Sequence, residues 1–97
     1  MVGGIETETV HRAADMFSIL GNETRVNILL LLADDEYCVH DIADELDMEL
    51  SNISHHLRRM RDTGIAQARK DGRHKYYSVK DEHIQTLVET GVECASE

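Results

Sequence analysis

Four residues near the end of the chain, Asp81, His83, Cys94 and Glu97, offer carboxylate, imidazole and thiol donors. Together these types suit a divalent ion of intermediate softness. If this stretch is helical, His83 and Cys94 differ by about 1,100° of rotation and share nearly the same face. Glu97 then lies within about 40° of it. Along the helix axis, however, His83 and Cys94 are roughly 16 Å apart, beyond the reach of one ion. One helix cannot close such a site. Two copies antiparallel about a two-fold axis can, because Asp81 and His83 of one then meet Cys94 and Glu97 of the other. Plainer uses stay open on spacing alone: Asp81 as a helix cap, Cys94 as a small interface residue, Glu97 as an unanchored terminus.

A second chemistry lies in the charge distribution. Residues 51–75 hold seven of the ten Lys and Arg residues and only two acids, a net of +5. The other 72 residues carry 17 acids against three bases, a net of −14, giving −9 for the whole chain. A chain this acidic is repelled by polyanions. Concentrating its positive charge on one element suits contact with nucleic acid while the rest stays soluble. The plainer alternative is a solvated helix face with paired charges, for which only Asp62 and Asp71 are close in sequence.

The elements that must position these groups follow from the apolar pattern. Residues 1–7 read as a flexible arm. A first helix runs Thr9–Leu20, with Val10, Ala13, Ala14, Phe17 and Leu20 on one side. Gly21 breaks it, and Asn22 caps a second, Glu23–Ala33, that is apolar nearly all round and suits the centre of the fold. A short third helix, Cys38–Leu46, is followed after Asp47-Met48-Glu49 by a fourth that runs to Thr63 and stops at Gly64. Strands Ile65–Lys70 and His74–Val79 are joined at Asp71-Gly72, which predicts a type I′ hairpin. Asp81 can cap a last helix, on which Ile84, Leu87, Val88, Gly91 and Ala95 form an apolar stripe. The order is ααααββα: mostly α with a β-hairpin, one domain over residues 1–97.

The short helix, turn and longer helix fit a helix-turn-helix, and the basic hairpin fits a wing. On the fourth helix Leu50, Ile53, Leu57 and Met60 share a core-facing side, which leaves Ser51, Asn52, His55, Arg58 and Arg59 opposite. These are donors that reach base edges and phosphates in a major groove. Arg69, Lys70, Arg73, His74 and Lys75 of the hairpin would lie against neighbouring phosphates. A small domain of 97 residues is marginal as a monomer, so a homodimer is expected, with an operator that is an inverted repeat. No apolar run spans a bilayer and two cysteines are too few for a disulfide scaffold, so a cytoplasmic protein with no membrane partner is the expectation. No nucleophile–base set or phosphate-binding loop appears, which argues against an enzyme.

The stretch SNISHHLRRMRDTGIAQARKDGRHKYYSV resembles the recognition helix and wing of the ArsR/SmtB family of bacterial metal-responsive repressors. LGNETRVNILLLLADDEYCVHDIADEL is similar to the segment that precedes them in that family. The resemblance extends over residues 16–97, with departures. Glu23 replaces a usual Pro, Asp47 stands where Gly is frequent, and Glu49 takes the position of a Ser/Thr cap. The resemblance implies a metal-free dimer on double-stranded operator DNA, released when Zn(II) binds between paired C-terminal helices through a D-x-H…H-x-x-E/H pattern. Asp81, His83, Cys94 and Glu97 occupy that pattern, with Cys94 in place of His. A thiolate keeps Zn(II) and admits softer Cd(II), with Co(II) and Ni(II) as further candidates. Relatives that sense arsenic, cadmium or lead carry C-V-C where this chain has Cys38-Val39-His40, so Cys38 and His40 look like part of a second metal or thiol site. The alternative input is a thiol-based redox or sulfide-responsive repressor using Cys38 and Cys94.

Overall fold

Asn22 and Asp81 do what their side chains favour at helix starts. Asn22 Oδ1 accepts from the Arg25 N–H at 3.1 Å, and Asp81 Oδ1 accepts from the His83 and Ile84 N–H groups at 2.8 and 3.2 Å. The computed structural model describes residues 1–97 and contains five helices and three strands. They are α1 (Thr7–Leu20), α2 (Glu23–Leu32), β1 (Tyr37–Cys38), α3 (Val39–Leu46), α4 (Leu50–Asp62), β2 (Ala66–Asp71), β3 (His74–Val79) and α5 (Glu82–Ala95). The winged helix-turn-helix expected from the sequence is present. Strand β1 is an addition to the expected order. It pairs antiparallel with β3, Tyr37 opposite Tyr77 and Cys38 opposite Tyr76, so β3 is the central strand of a β1-β3-β2 sheet. Cys38 therefore lies in a strand, not in the third helix. Two residues are too short a run to show a period of two.

The helix-turn-helix is held together by matching terminations. At the end of α3, Asp47 takes φ 52° and ψ 52°, the Met48 N–H donates to the Ala43 carbonyl, and the Asp47 N–H donates to that of Asp44. Gly64 does the same after α4 at φ 77°, with the Ile65 N–H on the Met60 carbonyl and the Gly64 N–H on Arg61. An L-residue in this left-handed region costs roughly 1–2 kcal/mol, less for Asp because its short polar side chain tolerates the conformation. The usual Gly at position 47 thus has a backbone reason, and Asp47 is the one non-glycine residue of the chain with positive φ.

Apolar contacts fix how deep α4 sits. Ile53, Leu57 and Met60 are fully buried, joined in one cluster with Ile28, Leu29 and Leu32 of α2, Ile42 and Ala43 of α3, and Ile84 and Val88 of α5. Burying one such side chain contributes roughly 1.5–3 kcal/mol, against about 0–1 for a surface ion pair. The core, not surface charge, sets the helix depth. Leu50 departs from the expected core face and is 41% exposed, because it begins the helix beyond the edge of that cluster.

The hairpin also differs in detail. Asp71 pairs with His74, so the two loop residues are Gly72 and Arg73, and only Gly72 has positive φ. A positive φ confined to the first loop position matches type II′ geometry, not the expected type I′. The apolar face assigned to α1 is split: Val10, Ala14 and Phe17 are exposed, whereas Leu20 packs on the core beside Met16 and the buried Ile19. Residues Val2 and Ile5 bridge each other across a tight Gly3-Gly4 turn, and α1 begins at Thr7.

Candidate DNA interface and metal half-sites

With Ile53, Leu57 and Met60 turned inward, a helix must turn Ser51, Asn52, His55, Arg58 and Arg59 outward, and all five are exposed. Neither Arg58 nor Arg59 takes part in an ion pair, and the same holds for Lys70, Arg73 and Lys75 on the wing. A solvated face with paired charges does not describe this surface. Arg61, absent from the expected set, joins Ser54, Arg58, Asp62, Lys75 and Tyr77 around a polar notch between α4 and the wing.

Arg69 is engaged differently from its neighbours. Its Nε and second guanidinium nitrogen meet Glu36 at 2.9–3.1 Å, Asp71 lies 3.7 Å away, and the group stacks 5.0 Å from the Tyr76 ring centroid. The Glu36 hydrogen bond, then the Glu36 charge, raise the Arg69 pKa above the ordinary arginine value. Its charge is paired with Glu36 at the surface, so its part is to brace the wing against the segment before β1. It has less charge to offer to a phosphate than Lys70, Arg73 or Lys75.

Glu49 stands at the N-cap of α4 with no side-chain hydrogen bond. Two consequences follow: a free N–H turn and a negative charge beside the outward-facing residues of α4. Glu49→Ser should raise the urea midpoint by a stability of about 0.5–1 kcal/mol, the cap gain less the loss of a favourable acid at the helix start. It should also tighten DNA binding. An unchanged midpoint would show that serine does not cap here.

The C-terminal donors separate into two exposed pairs. Asp81 and His83 begin α5, with His83 Nδ1 3.5 Å from Asp81 Oδ1. Cys94 and Glu97 close it, joined by a backbone hydrogen bond of 3.4 Å. No three His, Cys, Asp or Glu side chains converge within the chain. Within one chain the four donors do not close a metal site. Asp81 spends Oδ1 on the helix cap and keeps Oδ2 free. Cys38 is buried and His40 exposed, with Lys70, Arg73, His74 and Lys75 lining the same hollow. Positive charge surrounds that pair, which disfavours a divalent cation there. The two thiols are unbonded, one buried in β1 and one exposed near the end of α5.

Next to these donors, an apolar groove of about 470 Å³ runs between α1 and α5, with Phe17, Leu20, Val26, Leu87, Val92 and Ala95 on its walls. Ile84 and Val88 reach the core from the expected stripe, whereas Leu87, Gly91 and Ala95 are left on this outer surface.

One contact escaped the sequence. Arg25 Nε donates to His56 Nδ1 at 3.1 Å, and another guanidinium nitrogen donates to the Ile19 carbonyl at 3.2 Å. Burial first, then the Arg25 charge and His55, lower the His56 pKa below 6.5. The adjacent pair His55-His56 was visible. Its partner 31 positions earlier gives no local signal.

A family profile described as "Bacterial regulatory protein, arsR family" matches residues 22–68, which run from the α2 cap through the helix-turn-helix into the wing. An uncharacterised helix-turn-helix transcriptional regulator of Methanocaldococcus jannaschii is 38% identical over 82 residues, covering 84% of this chain and 92% of that protein. The chain belongs to the ArsR family. Among other ArsR-like relatives, a Staphylococcus aureus cadmium resistance transcriptional regulatory protein is 43% identical over 77 residues, 78% of this chain and 64% of the relative. The chain thus spans under two-thirds of the cadmium-resistance regulators it matches. A homodimeric winged helix-turn-helix DNA-binding domain from Mycobacterium bovis superposes with a TM-score of 0.86 at 29% identity, covering 100% of this chain and 92% of that one. As an ArsR-family regulatory protein it is not an enzyme. No helix is long and apolar enough to cross a membrane.

Proposed function

We propose that this chain is a dimeric, metal-responsive repressor that binds operator DNA when metal-free. The observation that carries the reading is the unpaired donor surface of α4 and the wing, five exposed polar residues beside three bases with no acidic partner. Ser51, Asn52, His55, Arg58 and Arg59 would enter the major groove, with Lys70, Arg73 and Lys75 on flanking phosphates. The apolar α1–α5 groove is the surface a second copy would cover, and the Mycobacterium bovis domain is itself homodimeric. Two recognition helices related by a two-fold axis call for an inverted-repeat operator.

The regulatory half rests on α5. Asp81 Oδ2 and His83 of one subunit, with Cys94 and Glu97 of the other, would complete a four-donor set. Zn(II) is the ion best matched to it, and Cd(II), Co(II) and Ni(II) are also compatible. A bound ion supplies a fixed positive centre that four donors can share. The residues do the rest: drawing the paired α5 helices together fixes the spacing of the two α4 helices at a value the operator does not accept. For release, the donors must bind the ion more tightly in that DNA-incompetent state, and DNA must reciprocally weaken ion binding. Titrating Zn(II) into a protein–operator complex tests this. DNA affinity should fall by roughly 5–150-fold as the sites fill. A flat affinity while the metal binds would leave a DNA-binding dimer without this input.

A further inference from the structure

Helix α4 is held by apolar packing and by one polar contact. Arg25–His56 is the only side-chain hydrogen bond or ion pair that ties α4 to another element. The guanidinium also holds the last turn of α1 through the Ile19 carbonyl, and the Arg25 backbone N–H is fixed by Asn22. One side chain therefore connects α1, α2 and the middle of the helix that presents His55 and Arg58. We infer that Arg25 and His56 form a latch that sets the orientation of α4 for DNA and opens when His56 takes up a proton. The inference rests on the reading of α4 as the DNA-contacting helix.

The chemistry is simple. Arg25 has donors only, so His56 Nδ1 must carry a lone pair, and the neutral ring keeps its proton on Nε2. A proton on Nδ1 turns the acceptor into a donor and sets imidazolium against guanidinium. The charges acting on His56 are Arg25 from α2 and His55 from α4 itself, whose ring lies edge-on at 6.0 Å. No carboxylate forms an ion pair with any of the three, and α1 contributes only a carbonyl. Nothing compensates the added charge, so the latch is closed at neutral pH and opens in acid. The same shift bears on folding. The unfolded chain takes up this proton near pH 6.5 and the folded one resists it, so the stability present above 6.5 is lost as pH falls through the lowered folded value. His55 lies on the exposed side of α4, so the test compares variants that all keep it.

The full chain is assayed against a labelled duplex selected for tight binding from a random pool, from pH 7.5 to 5.5. His56→Gln retains an acceptor for Arg25 and does not titrate, whereas His56→Leu fills the space without one. At pH 7.5 the Gln variant should bind about as tightly as wild type and the Leu variant about ten-fold more weakly, the effect of one hydrogen bond to a charged group. Between pH 7.5 and 5.5 wild type should lose affinity relative to the Gln variant, by less than the loss in the Leu variant, because the lowered pKa leaves part of the His56 ring neutral at pH 5.5. Nitrogen chemical shifts of His56 in the DNA-free protein should report a neutral ring protonated on Nε2. Superimposable pH profiles for wild type and His56→Gln, or a ring protonated on Nδ1 at pH 7.5, would overturn the latch even if the Leu variant failed to fold. A wild type that binds no duplex at low salt would defeat the DNA-binding reading and the latch with it. Tight binding by wild type and Leu variant alike removes the latch alone.

Discussion

Replacing Arg58 and Arg73 together by alanine should weaken DNA binding by at least about ten-fold at physiological salt. The slope of log affinity against log salt should become shallower by about two units. The two residues lie on different elements, α4 and the turn of the wing, and neither has an acidic partner. Their charge is available to phosphates, and each neutralised phosphate contributes about 0.9 to the slope. The background makes the effect larger than on a neutral protein. The chain carries −9 overall, so removing two of the few unpaired cations on α4 and the wing exposes the remaining negative field. Thermal stability should hardly move, within about 0.5 kcal/mol, because both side chains are exposed and make no contact whose loss costs folding energy. That contrast separates a lost interface from a lost fold. By comparison, Arg69→Ala should lower stability of the wing more than the salt slope, since Glu36 already neutralises that charge. Should Arg58→Ala with Arg73→Ala leave the slope unaltered, the basic window is a solvated surface after all.

Much of this arrangement was legible from residue order, and the parts that were not have physical reasons. The buried face of α4 followed from helical spacing at Ile53, Leu57 and Met60, and the outward face followed from it by geometry. Caps at Asn22 and Asp81 and the stop at Gly64 followed from side-chain chemistry or its absence. Strand β1 was not legible because its pairing with β3 is a long-range event, and two residues carry no pattern of their own. The direction of α1 was misread for a related reason. Its apolar spacing specifies a face but not what the face meets, and Val10 and Phe17 lie on the outside of this chain. The Arg25–His56 contact and the pairing of Arg69 with Glu36 join segments more than 30 positions apart, which composition and periodicity cannot reach. Of the metal donors, the helix placed Asp81 with His83 and Cys94 with Glu97, in line with the axial separation expected from helix rise.

That separation leads to the second large effect, which concerns where the ion-binding set is assembled. His83→Ala and Cys94→Ser should each reduce Zn(II) affinity by on the order of 100-fold or more, because even losing a group behind a ligand costs 10–100-fold. Either loss alone would also follow if one subunit held the whole site, so neither is decisive. Mixing the two variants is. When subunits exchange freely, about half of the dimers are mixed. In each mixed dimer one site combines both lesions. The other pairs intact Asp81 and His83 from the Cys94→Ser subunit with intact Cys94 and Glu97 from the His83→Ala subunit. About a quarter of the wild-type number of tight sites should therefore reappear, although neither variant has any by itself. A site confined to one chain recovers nothing on mixing. The structure gives the physical reason to expect recovery: α5 is a 14-residue helix with one pair of donors at its start and the other at its end, and no third donor approaches either pair within the chain. An equilibrium dialysis count of tightly bound Zn(II), before and after mixing, reads the outcome directly. A count that stays at background, with heterodimers demonstrated by mass, would move the ion off the paired helices and leave the regulation of this protein to another surface.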